Sequence, residues 1–306
     1  MRTVGFDTSN YTTSVAAFDG RGGESVSRLL PVKTGELGLR QSEALFSHVK
    51  RLPELSDRLF AQIPAGSVDA IGVSTRPRAV EGSYMPCFLA GESQARVLGA
   101  ALHVPVFSFS HQQGHVAAVL WSAGRLDLLG RDFLAWHLSG GTTELLLVHS
   151  SADGNVLCER LGGTTDISAG QLIDRTGQLL QFDFPAGKAL DAACAGLTDG
   201  DWFRVKVRDF EFSLSGVENQ VRRFREQGAS DARTSYFALR TIVEAVRTAT
   251  KNAQKVYPLP VVFSGGVASN SMLRRRMTES VFGAPQFSTD NAMGIAVLTW
   301  LRLQNN

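Results

Sequence analysis

The sequence predicts an α/β fold made of two related lobes, and three observations carry that expectation. Two strand–turn–strand patterns lie about half a chain apart, strands alternate with helical stretches throughout, and no Pro-, Ser- or Gly-rich linker divides the halves. The first pattern is TVGFD, a polar turn TSNYT and then TSVAAFD; the second is FLAWHLS, GGT and TELLLVHS. In each, an apolar strand ends on an acidic or small polar residue, a tip of Thr, Ser or Gly follows, and an apolar strand returns. Aligning Asp7 with Ser139 sets Thr12 and Thr13 opposite Thr142 and Thr143, with one gap.

Between the two hairpins, helical stretches are expected at 40–62, interrupted at Pro53, and at 92–102, on either side of a strand VDAIGVST. A strand VPVFSFS feeds a helix from His111 to Trp121, with Ser110 placed as its N-cap. The second half predicts helices at 166–181, 187–195, 213–227 and 230–256. The strand PVVFSGG then leads into a helix at 269–280, and a short strand PQFST precedes a terminal helix that starts near Asp290. The expected lobes are 1–125 and 126–306, sharing a cleft, with the terminal helix able to pack back on the first lobe.

Bulk composition fits an ordinary soluble protein of 306 residues, 43% hydrophobic and 20% charged. With 31 basic against 29 acidic residues, the charge balance neither demands nor excludes a nucleic-acid partner, which is met by local patches. Cys87, Cys158 and Cys194 show no CxxC spacing, which argues against a disulfide framework and against a thiolate zinc site. No charged-then-apolar leader and no run of eighteen apolar residues is visible, so a cytoplasmic protein without a membrane partner is expected.

The sharpest local signal is HQQGH at 111–115. Histidines four apart on a helix project from one face and can share a cation, although solvent-exposed helix histidines show the same spacing. A third ligand must come from elsewhere. Asp290, in STDN at a strand-to-helix junction, is the candidate, its ordinary alternative being a helix N-cap. Two imidazoles and one carboxylate suit a divalent ion such as Zn²⁺ or Fe²⁺ and leave positions open for substrate. In SGGT, the paired glycines Gly140 and Gly141 after Ser139 let backbone N–H groups approach phosphate oxygens, or form only a tight hairpin. FSGGVASN, with Gly265, Gly266 and Asn270, carries a strand through two glycines into a helix and can face an anion or a purine. Neither a Walker loop nor a Rossmann fingerprint is present. Asp174 and Asp191 flank FDFPAG and could accept from ribose hydroxyls or lie on solvated helix faces. Two arginine runs, 274–276 and 222, 223 and 225, could bind phosphates, but neighbouring arginines on a helix point in different directions.

Taken in order, these motifs resemble the tRNA threonylcarbamoyladenosine transferase family, also known as the TsaD or glycoprotease family. The pieces are GFDTSNYTTSVA, SFSHQQGHVAAVL, LSGGTTELLLV, GGTTDISAGQLIDRTGQLLQFDFPAGKALD, FSLSG, VVFSGGVASNSMLR and STDNAMGIA. The resemblance implies a duplicated ribonuclease-H-like fold of the actin–hexokinase–Hsp70 type. It implies metal ligation by His111, His115 and Asp290, and a phosphate-side hairpin at Ser139, Gly140 and Gly141. It implies nucleoside contacts at Asp174, Gly187, Asp191 and Asn270. Some members place a Tyr ligand just before the second hairpin turn; His137 holds that place here, as a fourth ligand or as a satisfied strand histidine. The implied reaction moves a threonylcarbamoyl group from threonylcarbamoyl-AMP to N6 of an adenine beside a tRNA anticodon, without a covalent nucleophile on the protein. The expected partners are an adenine nucleotide, tRNA and other proteins of the threonylcarbamoyl pathway.

The chain departs from the family pattern at Asn10-Tyr11-Thr12, at Arg76-Pro77-Arg78 in place of a Gly-Pro-Gly loop, and at Thr142, Gln171 and Arg175. These changes also suit a diverged paralogue that hydrolyses an adenine nucleotide or carbamoylates a small molecule. A non-catalytic partner of the true transferase is a third reading, against which the retained HQQGH and STDN argue. Arg76 and Arg78 are expected to cover the donor pocket and bind an anion there. A peptidase reading finds no HExxH to support it.

Overall fold

The computed structural model describes residues 1–9, 11–31, 39–64, 66–150, 156–287 and 292–305. In chain order the elements are β1 (Thr3–Asp7), β2 (Thr12–Phe18), β3 (Gly23–Leu29), α1 (Gln41–Phe60), β4 (Ala70–Arg76), α2 (Phe88–Leu102), β5 (Val106–Ser110) and α3 (His111–Ser122). There follow β6 (Phe133–Leu138), β7 (Thr143–Ser150), β8 (Val156–Thr164), α4 (Ala169–Leu179), α5 (Gly187–Ala193), β9 (Glu211–Phe212) and α6 (Ser215–Glu226). The last are α7 (Asp231–Val256), β10 (Val261–Ser264), α8 (Ser271–Arg276), β11 (Val281–Phe282) and α9 (Met293–Gln304). Two compact units result: Met1–Asp132 with His149–Cys158 and Gln286–Asn306, and Phe133–Val148 with Glu159–Pro285.

The two units repeat one sheet topology. The first sheet runs β3-β2-β1-β4-β5 and the second β11-β10-β6-β7-β8-β9. In the first, β1 is antiparallel to β2 and parallel to β4, which is parallel to β5. In the second, β6 is antiparallel to β7 and parallel to β10, which is parallel to β11. Read in opposite directions, the orders coincide, with β9 as the extra strand of the second sheet. The duplicated hairpins of the sequence are therefore β1–β2 and β6–β7, each at the heart of its sheet.

Every residue of β1 and β2 is buried because the first sheet is covered on both faces. On one side Val4, Phe6, Ile71 and Val73 pack with Leu52, Leu55 and Leu59 of α1. On the other, Ala16 and Phe18 meet Met293, Ala296 and Val297 of α9. In the second unit Trp136, Leu138, Leu145 and Phe263 pack under Leu172, Ile173, Ile242 and Val246 of α4 and α7. Among the described residues no helix is long and apolar enough to cross a membrane.

Three local expectations are corrected. Pro53 does not break α1, which runs on to Phe60. An interior proline costs about 3 kcal/mol, and three fully buried leucines at about 1.5–3 kcal/mol each outweigh it. Residues 285–287 form a single 3₁₀ turn rather than a strand, since Pro285 has no N–H for a ladder; the strand place goes to β11, beside β10. α2 starts at Phe88 rather than at residue 92.

One buried group in the first unit makes the fold acid-sensitive. His48 of α1 is fully buried, its Nδ1 is 2.8 Å from the Thr13 hydroxyl, and its Nε2 has no partner. Burial pushes its pKa down from 6.5 to about 4, with Asp7 opposing and Arg51 assisting. The folded protein thus holds His48 neutral where the unfolded chain protonates it. Stability is complete above pH 6.5, falls as the pH drops from 6.5 to 4, and loses about 3 kcal/mol over that window. Urea denaturation across this range should show that slope, and His48→Gln should flatten it. An unchanged slope in the variant would assign the acid sensitivity elsewhere.

Candidate functional site

The histidine pair stands on the first turns of α3. Ser110 ends β5 and caps the helix: its hydroxyl accepts from the Gln113 N–H at 3.2 Å, and the Gln113 side-chain oxygen accepts from the Ser110 N–H at 2.7 Å. That box fixes where α3 begins, and hence where His111 and His115 point. Their Nε2 atoms face each other at 2.8 Å. His111 Nδ1 lies 3.0 Å from a carboxylate oxygen of Asp7, at the end of β1. Asp7 is itself fully buried, accepts from the Ser9 hydroxyl at 3.2 Å and from the Ser74 hydroxyl at the end of β4.

Chemistry follows from this order of contacts. A carboxylate behind Nδ1 keeps the proton there and leaves the Nε2 lone pair of His111 facing His115. Two imidazole nitrogens bound to one ion at about 2.1 Å stand about 3.0–3.4 Å apart, close to the observed separation. The donors therefore fit a divalent cation of the zinc or ferrous class. Among the described residues no third carboxylate, thiol or imidazole completes the set, and Asp290 lies outside them. The helix that follows it is nonetheless anchored at the pair. Gly294 of α9 is packed so tightly on α3 that an added Cβ would lie 1.8 Å from the carbonyl oxygen of Gly114, between the histidines.

The Arg76–Arg78 loop sits at the same place. Arg76 pairs opposite Ser110, Pro77 O accepts from the Gln112 N–H at 3.1 Å, and the Arg78 N–H donates to Ser83 Oγ at 3.0 Å. Both arginines are exposed.

The nucleotide candidates are gathered in the second unit. At the β6–β7 turn the Ser139 hydroxyl accepts from the Thr142 N–H at 3.1 Å, and Ser168 Oγ donates to Gly140 O at 2.6 Å. A Cβ on Gly140 or Gly141 would meet nothing within 4 Å, so the face of the turn is open. Ser168 and Gln171 form a capping box at the start of α4. Asp174, further along α4, accepts from the Ala186 N–H at 2.9 Å, and burial raises its pKa. Ala186 leads into α5 at Gly187. On α5, Asp191 accepts from Asn270 Nδ2 at 3.1 Å and from the Ser271 N–H and hydroxyl at 2.9 and 2.8 Å. Asn270 also caps α8 through Leu273 N. Gly265, at a φ of +89°, passes against Leu138 O where no side chain fits, and Gly266 opens the short 3₁₀ turn that follows. His137 lies on β6 in this second unit, its Nδ1 3.2 Å from Ser264 Oγ. Ser264 gives its proton to Trp136 O at 3.0 Å, so His137 is the donor in that pair.

Sequence reading missed Asp7, Ser9 and Ser74. The available signal was the carboxylate that ends the first apolar strand at the position matching Ser139, the start of the second turn.

Comparison with known proteins places these motifs in a family. The family model described as tRNA N6-adenosine threonylcarbamoyltransferase matches residues 35–297. A protein of that description from Nitrosomonas europaea is 30% identical over 99% of this chain and 93% of its own length. Among solved structures, full-length HypF in its phosphate- and nucleotide-bound form shares 13% identity, with a TM-score of 0.62 over 99% of this chain and 46% of HypF. A ROK family glucokinase from Streptomyces griseus shares 12% identity, with a TM-score of 0.53 over 99% of this chain and 100% of that one. These likenesses fit the repeated topology to the actin–hexokinase type of duplicated α/β fold.

Proposed function

Since the chain belongs to the tRNA N6-adenosine threonylcarbamoyltransferase family, we propose that it transfers threonylcarbamoyl from threonylcarbamoyl-AMP to N6 of an adenine in tRNA, using a divalent cation held by His111, His115 and Asp290. The observation that carries this reading is the pair of Nε2 atoms 2.8 Å apart, with Asp7 behind one of them. Once bound, such an ion supplies Lewis acidity that polarises the carbonyl of the donor. The chain's own residues position the reactants. Asp7 sets the tautomer and tilt of His111. Gly140 and Gly141 leave the turn open for the phosphate of AMP, beside the start of α4. Asp174 has acceptor capacity for a ribose hydroxyl, whereas Asp191 already takes three donors, one from Asn270 and two from Ser271. Arg76 and Arg78 bind negative groups of the donor near α3.

In the reaction the adenine N6 attacks the carbamoyl carbon, a C–N bond forms, and the bond from that carbon to the AMP phosphate oxygen breaks. AMP leaves with the electron pair, and the N6 proton passes to solvent. A mixed anhydride held against an exposed amine asks mainly for alignment, so no nucleophile on the protein is required. Other proteins of the threonylcarbamoyl pathway supply the donor.

The test is transfer by the purified protein loaded with Fe²⁺ or Zn²⁺, given donor and unmodified tRNA, with nucleosides read by mass spectrometry. Threonylcarbamoyladenosine formed only with tRNA, donor and metal together supports the reading. AMP released equally without tRNA, and no modified nucleoside, would replace it with the paralogue acting on a nucleotide or small acceptor.

A further inference from the structure

Outside every residue assigned above, the second unit carries a pocket of about 430 Å³. It is lined by Ala195, Leu197 and Met272, by Thr198 and Tyr236, and by Arg275 and Arg276. Tyr236 is fixed: its hydroxyl donates to Thr198 O at 3.3 Å and accepts from Arg240 Nη1 at 3.1 Å. The lining thus combines apolar side chains, an anchored tyrosine and two guanidinium groups.

The positive charge there is not cancelled from within. Glu244 of α7, 2% exposed, takes Arg240 at 2.8 Å, Arg247 at 2.7 Å and Arg276 at 3.4 Å. Three guanidinium groups around one carboxylate leave a surplus of two positive charges. Arg275 adds another, its Nη1 donating to Ser271 Oγ at 3.0 Å. Of the acids nearby, Asp191 is taken up by Asn270 and Ser271, while Asp199 and Asp201 stand in the exposed segment after Thr198. Other arginines in the same sequence runs are engaged elsewhere: Arg274 donates to Ala268 O and Gly283 O, Arg222 shares Glu218 with Arg175, and Arg225 pairs with Asp231.

Aromatic surface adjoins this charge. Trp202, 36% exposed, stands 5.9 Å from the Arg240 guanidinium, and Phe203, 38% exposed, is tied to α7 through Thr241. A pocket that combines apolar side chains with two guanidinium groups, with exposed aromatics in the same unit, matches the demands of an unpaired nucleotide. The base finds apolar walls, the phosphate finds bidentate donors, and neighbouring bases find rings to stack on.

We propose that this pocket holds one unpaired nucleotide of the tRNA acceptor, its phosphate on Arg275 and Arg276, as a docking site distinct from the reacting centre. The inference rests on the RNA acceptor of the proposed function. The test is binding of an unmodified tRNA transcript to the full-length protein, followed by fluorescence anisotropy across a salt series. Arg275→Ala should weaken binding several-fold and lower the slope of log K against log salt by about 0.7. Arg275→Glu should weaken it by about tenfold or more, with the melting temperature unchanged. Arg223→Glu, on α6 and away from the pocket, should bind as the wild type does. Wild-type affinity and slope in Arg275→Glu would overturn the proposal, as would equal weakening by Arg223→Glu. Failure of the functional reading looks different: the wild-type protein itself would then bind no tRNA and modify none.

Discussion

If the proposed function holds, replacing His111 with alanine is expected to abolish binding of a divalent cation and to slow threonylcarbamoyl transfer by about 10²–10³-fold, the equivalent of several kcal/mol of lost carbonyl polarisation. The effect is large because the two imidazoles are not interchangeable. His111 is the one oriented by a buried carboxylate, at 3.0 Å from Asp7. A graded series separates the roles. Asp7→Asn keeps the shape of the cluster but removes the charge that holds the Nδ1 proton, and should cost about 10–100-fold in metal affinity. Metal content by elemental mass spectrometry and single-turnover transfer rates check both. A His111→Ala protein with full metal and normal turnover would remove the histidine pair from the mechanism.

Gly294→Ala should cost about 3 kcal/mol of stability, at the upper end of overpacking effects. The added Cβ would stand 1.8 Å from Gly114 O and 2.7 Å from Ala118 N, both backbone atoms of α3. Nothing there can rotate aside, so the helices must part. Gly114→Ala makes a useful contrast, because its Cβ would first meet the terminal methyl of Ile295 at 2.8 Å, a flexible end. It should be much milder. Denaturation midpoints measure the first effect. Metal affinity measures its transmission, since α3 bears both histidines and α9 follows Asp290. An unchanged midpoint in Gly294→Ala would mean that the two helices are not held so closely.

How much of this was legible beforehand depended on whether a pattern was local. HQQGH could be read because the shared helix face is a property of four consecutive steps of chain. The paired hairpins could be read because both strands of each are buried and apolar. Asp7 could not, since the residue it orients lies 104 positions away. β3 escaped because only Val26 of its residues is buried, so it has no apolar alternation to find. Pro53 misled because the leucines that hold α1 together act through the sheet and not through the helix itself. The arginine run 274–276 looked like three side chains pointing apart; the fold sends Arg274 inward to Gly283 and brings Arg275 and Arg276 to one pocket.

The first unit closes on itself through very distant parts of the chain. The Thr3 hydroxyl donates to Ala296 O at 2.7 Å across 293 positions of sequence, and α9 covers a whole face of the first sheet. During synthesis that face stays bare until nearly three hundred residues have been made, a long wait for a surface lined by Ala16 and Phe18. The N-terminal hairpin therefore has to be kept from sticking to other chains throughout translation. A chain cut short before α9 therefore cannot seal the core of the first unit.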